Sequence, residues 1–262
     1  MVLKWSYVTR FIFDKPQKNG TVLNRYTLKK CLGVGAYGMI YLCTDNRSGK
    51  KYVVKQLRPS KGKKQREWER FKDEAELLRK IDHHAIPALM DEFRIENQYY
   101  YVMEYVDGDN IEDLLFFQNQ MFTELEALIM MKQLLSIISY LHQHNIFHTD
   151  IRPPNVIVKQ EKVHLIDFGL ANRIDQDNEK AVSNYRQDDY YDFGQMILFL
   201  MYSKFKGKKS KKRTWLEELS LHPETVILLK KLLGISEPYT NVNEIKKDLN
   251  IAMEALKEPK RV

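Results

Sequence analysis

His148-Thr149-Asp150-Ile151-Arg152-Pro153-Pro154-Asn155, followed by Val156-Ile157-Val158 and Val163-His164-Leu165-Ile166 and closed by Asp167-Phe168-Gly169, is the stretch on which the fold turns. Two short apolar strands, Val156 to Val158 and Val163 to Ile166, separate a polar loop holding Asp150, Arg152 and Asn155 from a second loop holding Asp167. Immediately upstream, Thr123 to His142 opens with a capping box, Thr123-Glu124-Leu125-Glu126, and runs apolar on one face, predicting a long helix. Downstream, Asp189-Tyr190-Tyr191-Asp192-Phe193-Gly194 leads into a second apolar run.

Before about residue 103 the chain has a different character. Tyr26 to Leu32, Met39 to Thr44, Lys51 to Leu57 and Gln98 to Met103 carry β-branched and aromatic residues between Gly, Asp and Asn turns, predicting strands. Trp68 to Ile81 interrupts them with Phe71, Ala75, Leu78 and Ile81 at helical spacing. Gly33-Val34-Gly35-Ala36-Tyr37-Gly38 matches G-x-G-x-x-G. Alone it also fits a plain surface turn. A dinucleotide fingerprint needs a helix after the glycines, yet a strand follows, so these glycines sit in a hairpin whose amides are able to face an anion.

The strand after the hairpin ends in Val53-Val54-Lys55. With the glycine loop before it and the loops at 148–155 and 167–169 after it, in this order, the chain resembles the protein kinase family. The resemblance covers nearly everything after residue 25. It implies an α+β, bilobal protein-kinase-like fold, with a small antiparallel β lobe holding one helix and a mainly α-helical large lobe. The expected division is an extension at 1–24, then a kinase domain over 25–257 made of lobes at about 25–104 and 108–257, with the nucleotide between them.

The resemblance also implies the site. Lys55 would hold the α- and β-phosphates and be positioned by a helix glutamate. Glu74 and Glu76 compete for that role; Glu76 lies about 200° further round a helix, so Glu74, beside the apolar stripe, is preferred. Asp150 would accept the proton of the acceptor hydroxyl, and Arg152 would keep positive charge near the transferring phosphate. Asn155 and Asp167, both hard oxygen donors, would hold Mg2+ against the phosphates of ATP. Leu32 and residues Gly33 to Gly38, with Ala36 and Tyr37 at the tip, would cover the nucleotide. Ile40, Val53 and Ile157 would sandwich adenine, Met103 would limit the pocket, and the backbone of Glu104 and Val106 would pair with the base. Leu78, Leu89, Phe168 and His148 fall where the family stacks a regulatory spine.

The chain departs from the family in one region. Thr149 replaces the arginine that pairs with a phosphorylated loop, no Ala-Pro-Glu lies between Asp167 and Asp189, and Pro238 to Ile245 has no arginine. The expectation is a protein Ser/Thr kinase not controlled by activation-loop phosphorylation. The alternatives are a kinase of small molecules or sugars, which needs no peptide groove, and a pseudokinase or nucleic-acid-binding scaffold.

Composition sets the outer bounds. A chain of 262 residues with 44% hydrophobic and 29% charged residues can bury a sizeable core, which excludes a disordered tail. Cys31 and Cys43 cannot build a disulfide framework and read as reduced packing residues, pointing to a reducing, cytoplasmic setting of the kind used by stand-alone bacterial kinases. No transmembrane segment or signal peptide is expected. The net charge of +7 invites an anionic partner. Lys204 to Arg213, and Arg58 with Lys61, Lys63, Lys64, Arg66 and Arg70, would be the place for DNA or an acidic surface, with a solvated basic loop as the plainer reading. His142, His144 and His148 could suggest a zinc site, but His142 and His148 fall at positions where the protein kinase family also has such residues, so the kinase reading is preferred. Trp5, Tyr7, Phe11, Ile12 and Phe13 look able to dock, with no readable destination.

Overall fold

The computed structural model describes residues 14–35, 38–62, 64–175, 177–207 and 213–257. The chain divides into two compact units, the first ending at Val106 and the second beginning at Asp107. The first contains β1 (Val22–Leu23), β2 (Tyr26–Val34), β3 (Gly38–Asp45), β4 (Lys51–Leu57), α1 (Gln65–Lys80), β5 (Leu89–Ile95) and β6 (Gln98–Glu104). These strands form an antiparallel sheet in the order β1-β2-β3-β4-β6-β5.

Strand periodicity shows directly in β3, where Met39, Tyr41 and Cys43 are buried while Ile40, Leu42 and Thr44 are half-buried. The inward set packs with Tyr26, Leu28, Val54 and Val102 in one core. Tyr26 stacks on Phe93 at 6.0 Å between centroids, fixing β2 against β5 across the sheet. Cys31 and Cys43 are free thiols on adjacent strands. Burial pushes the Cys43 thiol up to about 12, so it stays protonated and donates to the Tyr52 carbonyl at 3.3 Å.

The stretch assigned to an extension is partly integrated into this unit. β1 pairs with β2, and the buried Asp14 carboxylate accepts from the Ser60 amide at 2.9 Å, the Ser60 hydroxyl at 2.7 Å and the Arg58 guanidinium at 3.4 Å. Trp5, Tyr7, Phe11, Ile12 and Phe13 lie outside the described residues. Helix α1 starts three residues ahead of Trp68, because Gln65, Arg66 and Glu67 are good helix formers although Lys64 offers no side-chain cap. Strand β5, absent from the sequence reading, alternates between half-buried and exposed positions, and Asp91, Glu92 and Arg94 interrupt its apolar residues.

The second unit contains β7 (Asp109–Asn110), α2 (Ile111–Phe116), α3 (Glu124–Gln143), β8 (Ile146–Phe147), β9 (Val156–Lys159), β10 (Lys162–Leu165), β11 (Asn172–Arg173), α4 (Glu179–Met201), α5 (Trp215–Glu218), α6 (Pro223–Leu232) and α7 (Val242–Ala255). The capping box at Thr123 and Glu126 is formed, and α3 buries Leu128, Met131, Leu135, Ile138 and Leu141 on its apolar face. Strands β10, β9 and β7 make one small sheet, β11 and β8 another.

Helix α4 starts well ahead of the Asp189 to Gly194 stretch and its apolar run. It begins at Glu179, capped by the Asn178 side chain accepting from the Ala181 amide, so Asp189 lies inside the helix and not at its start. Gly108 sits where a Cβ would lie 2.5 Å from the Val158 carbonyl oxygen and 2.9 Å from Ile157 Cγ2. Gly108→Ala is therefore expected to cost about 1–3 kcal/mol, read as a fall in urea midpoint. An unchanged midpoint would show that β7 and β9 can separate freely. Among the described residues no helix is long and apolar enough to cross a membrane.

Candidate active site

In the first unit, Lys55 stands on central strand β4, paired in register with Ile40 on β3 and Tyr101 on β6. Its ammonium bonds Glu74 Oε1 at 2.6 Å, with side chains only 6% and 5% exposed. The apolar face of α1 places Glu74 inward: Phe71, Ala75 and Leu78 are buried around it, and the Phe71 ring lies 5.0 Å from that of Tyr101. Glu76 instead pairs with Lys72 on the exposed side at 3.4 Å. A buried ion pair of this kind is costly to desolvate and adds little net stability, so its value lies in holding the lysine head at one point.

The glycine hairpin closes beside that lysine. The Gly35 amide donates to the Gly38 carbonyl at 2.9 Å, while Ala36 and Tyr37 lie outside the described residues. A Cβ on Gly38 would lie 3.2 Å from both Lys55 Cγ and Cε, so glycine permits the close approach of strand and side chain. Leu32 and Val34 stay 44% exposed on this hairpin. Val53 and Met103 are buried register partners, Ile40 is half-buried, and Val106 is buried. Glu104 is exposed; its amide donates to the Ala88 carbonyl and its carboxylate accepts from the Ala88 amide.

In the second unit, the loop carrying Asp150 is held from beneath by two carboxylates one helical turn apart on α4. Asp189, fully buried, accepts from the His148 amide at 3.1 Å and the Thr149 amide at 2.7 Å, and pairs with His142 Nε2 at 2.8 Å. Asp192 accepts from the Ile151 amide at 3.1 Å. The backbone is thus pinned on both sides of Asp150. Asn155 Nδ2 donates to the Asp150 carbonyl and to its Oδ2, each at 2.9 Å, which orients the carboxylate while leaving it 27% exposed. Arg152 lies at the outer limit of an ion pair with Asp150, 4.0 Å away.

The second polar loop is tied to the first. The Ile166 amide donates to the Asn155 carbonyl at 2.9 Å, bringing Asp167 beside Asn155. Asp167 takes φ +64, a left-handed turn that aspartate tolerates, and accepts from the Gly169 amide at 3.4 Å. His148 is fully buried, edge-on to Phe168 at 4.8 Å, and its Nε2 lies 3.2 Å from the Ile166 carbonyl. Burial pushes the His148 pKa down, so the ring is neutral and works as a hydrogen-bonded spacer. Ile157 is half-buried on β9, opposite His164.

The donor set fits Mg2+. Asn155 uses Nδ2 on Asp150, so Oδ1 is its remaining oxygen, and Asp167 supplies a carboxylate, both hard donors. Among the described residues no group of three or more His, Cys, Asp or Glu side chains is arranged to hold a metal ion. His142 is committed to Asp189.

Sequence reasoning missed Asp192. Burial first, then Asp189, Asp150 and Asp188, push its carboxyl up to about 6 against the Ile151 amide. The folded chain holds a proton here that the unfolded chain releases near pH 4. The resulting stabilisation is complete below pH 4 and lost as the pH rises through about 6. Asp192→Asn keeps an oxygen for Ile151 and removes the titration. Its melting temperature relative to wild type should rise between pH 4 and 7; a constant difference would contradict this.

The second basic cluster is corrected. Arg58 is buried against Asp14, and Lys61 pairs with Glu67 at 3.0 Å, because acids distant or adjacent in sequence fold onto them. Lys63 and residues 208–212, the middle of the Lys204 to Arg213 stretch, lie outside the described residues.

A model described as "Protein kinase domain" matches residues 26–235. The chain is 50% identical over 248 residues to the probable serine/threonine-protein kinase YbdM of Bacillus subtilis, covering 94% of this chain and 97% of that protein. It is 32% identical to human myosin light chain kinase family member 4 over 178 residues, 66% of this chain and 45% of that protein. The Mycobacterium tuberculosis PknI kinase domain shares its fold, with a TM-score of 0.70 at 19% identity over 90% of this chain and 100% of that one.

Proposed function

The chain belongs to the protein kinase family, and on that premise we propose that it transfers the γ-phosphoryl group of ATP to Ser or Thr hydroxyls of proteins, with residues 25–257 as the kinase domain. The observation that carries this reading is the catalytic loop: a partly exposed carboxylate, Asp150, oriented by Asn155 and pinned by amide bonds on either side. Asp150 accepts the proton of the acceptor hydroxyl as the new P–O bond forms and the bond to ADP breaks. Lys55, steadied by Glu74, binds the α- and β-phosphates, and Arg152 adds positive charge near the transferred group. Asn155 and Asp167 would hold Mg2+, which when bound would supply neutralisation of the phosphate charge.

Leu32, the glycine hairpin from Gly33 to Gly38, Ile40, Val53, Met103, Glu104, Val106 and Ile157 receive the nucleotide. The two free cysteines suit a reducing cytoplasm. A second reading, a small-molecule acceptor, draws on one observation: α4 begins at Glu179, leaving little chain after Gly169 to build a peptide groove. The test is incubation with γ-labelled ATP, Mg2+, a generic basic protein and a small-metabolite extract, followed by separation of protein from metabolites and acid hydrolysis of the protein. Label recovered as phosphoserine or phosphothreonine supports the protein kinase reading. Label confined to small metabolites from an extract supports the second and overturns the first.

A further inference from the structure

We propose that the Thr149 hydroxyl is a built-in latch that fastens the segment after Gly169 to the catalytic loop, doing by a neutral hydrogen bond what a loop phosphate would otherwise do. The inference rests on the kinase reading above and deepens it into a mode of control.

The first observation is conformational. Thr149 takes φ +56, and among the described non-glycine residues at positive φ it is the one with a branched Cβ. The left-handed region penalises such a side chain, whereas glycine or asparagine would occupy it at little cost. A threonine kept in that conformation points to a task for its side chain.

The second observation identifies the task. Thr149 Oγ1 donates to the Leu170 carbonyl at 2.7 Å, while its amide donates to Asp189 at 2.7 Å. One residue therefore joins helix α4, the backbone next to Asp150, and the first position after Gly169. The Leu170 carbonyl takes a second bond from Asn172 Nδ2 at 2.8 Å. Beyond it, Asn172 and Arg173 pair with Phe147 and Ile146, and the Ile174 amide donates to the Asn145 carbonyl at 3.0 Å. Residues 170–174 are thereby laced along residues 145–149, with Thr149 as the side-chain tie nearest Asp150.

The third observation is chemical. From Leu170 to Val182 the sequence holds no serine, threonine or tyrosine. The first hydroxyls, Ser183 and Tyr185, already belong to helix α4, and the Tyr185 ring is stacked on Phe147 at 6.0 Å. The segment that the latch holds offers no group to phosphorylate. Thr149 is thus a positioning residue: it sets Asp150 and Asp167 through the backbone and touches no reacting atom.

Three substitutions separate hydroxyl from shape and strain. Thr149→Val keeps the shape without the hydroxyl, Thr149→Gly relieves the backbone without the hydroxyl, and Thr149→Ser keeps the hydroxyl. Val and Gly are expected to lose about tenfold in kcat, the worth of one hydrogen bond, with KM for ATP held within about twofold, and Ser to stay near wild type. Amide hydrogen exchange over 170–174 should quicken in Val and Gly and not in Ser. Phosphatase treatment should leave wild-type activity intact. Wild-type exchange and kcat in Thr149→Val, or activity lost on dephosphorylation, would overturn the latch while the kinase reading stands. If wild type transfers phosphate to no acceptor, the kinase reading fails instead, and hydrogen exchange alone decides whether the tie exists.

Discussion

Asp150→Asn is expected to reduce kcat for phosphoryl transfer about 10²–10⁴-fold while leaving ATP affinity within about twofold. The substitution preserves shape and keeps an oxygen for Asn155 Nδ2, so the pinned loop should survive. What it removes is the ability to take a proton and the negative charge that aims the acceptor hydroxyl. Steady-state assay with label transfer, paired with an ATP titration, separates the two effects. A fall in ATP affinity with unchanged kcat would place Asp150 in nucleotide binding and take the base role away from it.

Glu74→Ala has the largest expected effect on stability. It removes the carboxylate from an ion pair whose side chains are 6% and 5% exposed, and breaking a buried pair by truncating one partner costs about 3–5 kcal/mol. At roughly 2–4 °C per kcal/mol for a chain of this size, the melting temperature should drop by about 10 °C. The double variant Lys55→Met with Glu74→Leu supplies the control. Two apolar side chains of similar volume replace the ion pair as a whole, so most of the stability should return while activity does not. Calorimetric melts of the single and double variants check this. A double variant as unstable as Glu74→Ala would mean that packing, and not charge, governs the site; a fully active one would remove Lys55 from the chemistry.

What the sequence made legible was local. The capping box at Thr123 and Glu126 is formed because both of its hydrogen bonds close within one turn. The choice of Glu74 over Glu76 follows from the angular step of a helix next to a visible apolar stripe, and the pairing with Lys55 agrees with it. The motif residues at 148–155 and 167–169 come together because a hairpin with a short turn, β9 and β10, returns the chain to Asn155.

What stayed hidden depends on partners far away in the chain. Arg58 reads as a surface cation until Asp14, 44 positions earlier, folds onto it. Asp192 reads as one more acid in an acidic stretch until its bond to the Ile151 amide, 41 positions away, is seen. The early start of α4 stayed hidden because residues from Glu179 to Asp188 are mostly polar, with Ala181, Val182 and Tyr185 too few to make a clear stripe, and the Asn178 cap went unread. Strand β5 escaped for a similar reason: Asp91, Glu92 and Arg94 cut its apolar residues into the pair Leu89-Met90 and the single positions Phe93 and Ile95.

The account depends on Asn155 and Asp167 supplying oxygen ligands that bring Mg2+ to the triphosphate. Isothermal titration of ATP into the protein with and without Mg2+ tests this most directly. The account predicts saturable one-site binding that tightens when Mg2+ is present, and loss of that tightening in Asp167→Ala with the protein still folded. Absence of binding under both conditions, or tightening by Mg2+ that survives in Asp167→Ala, would contradict it.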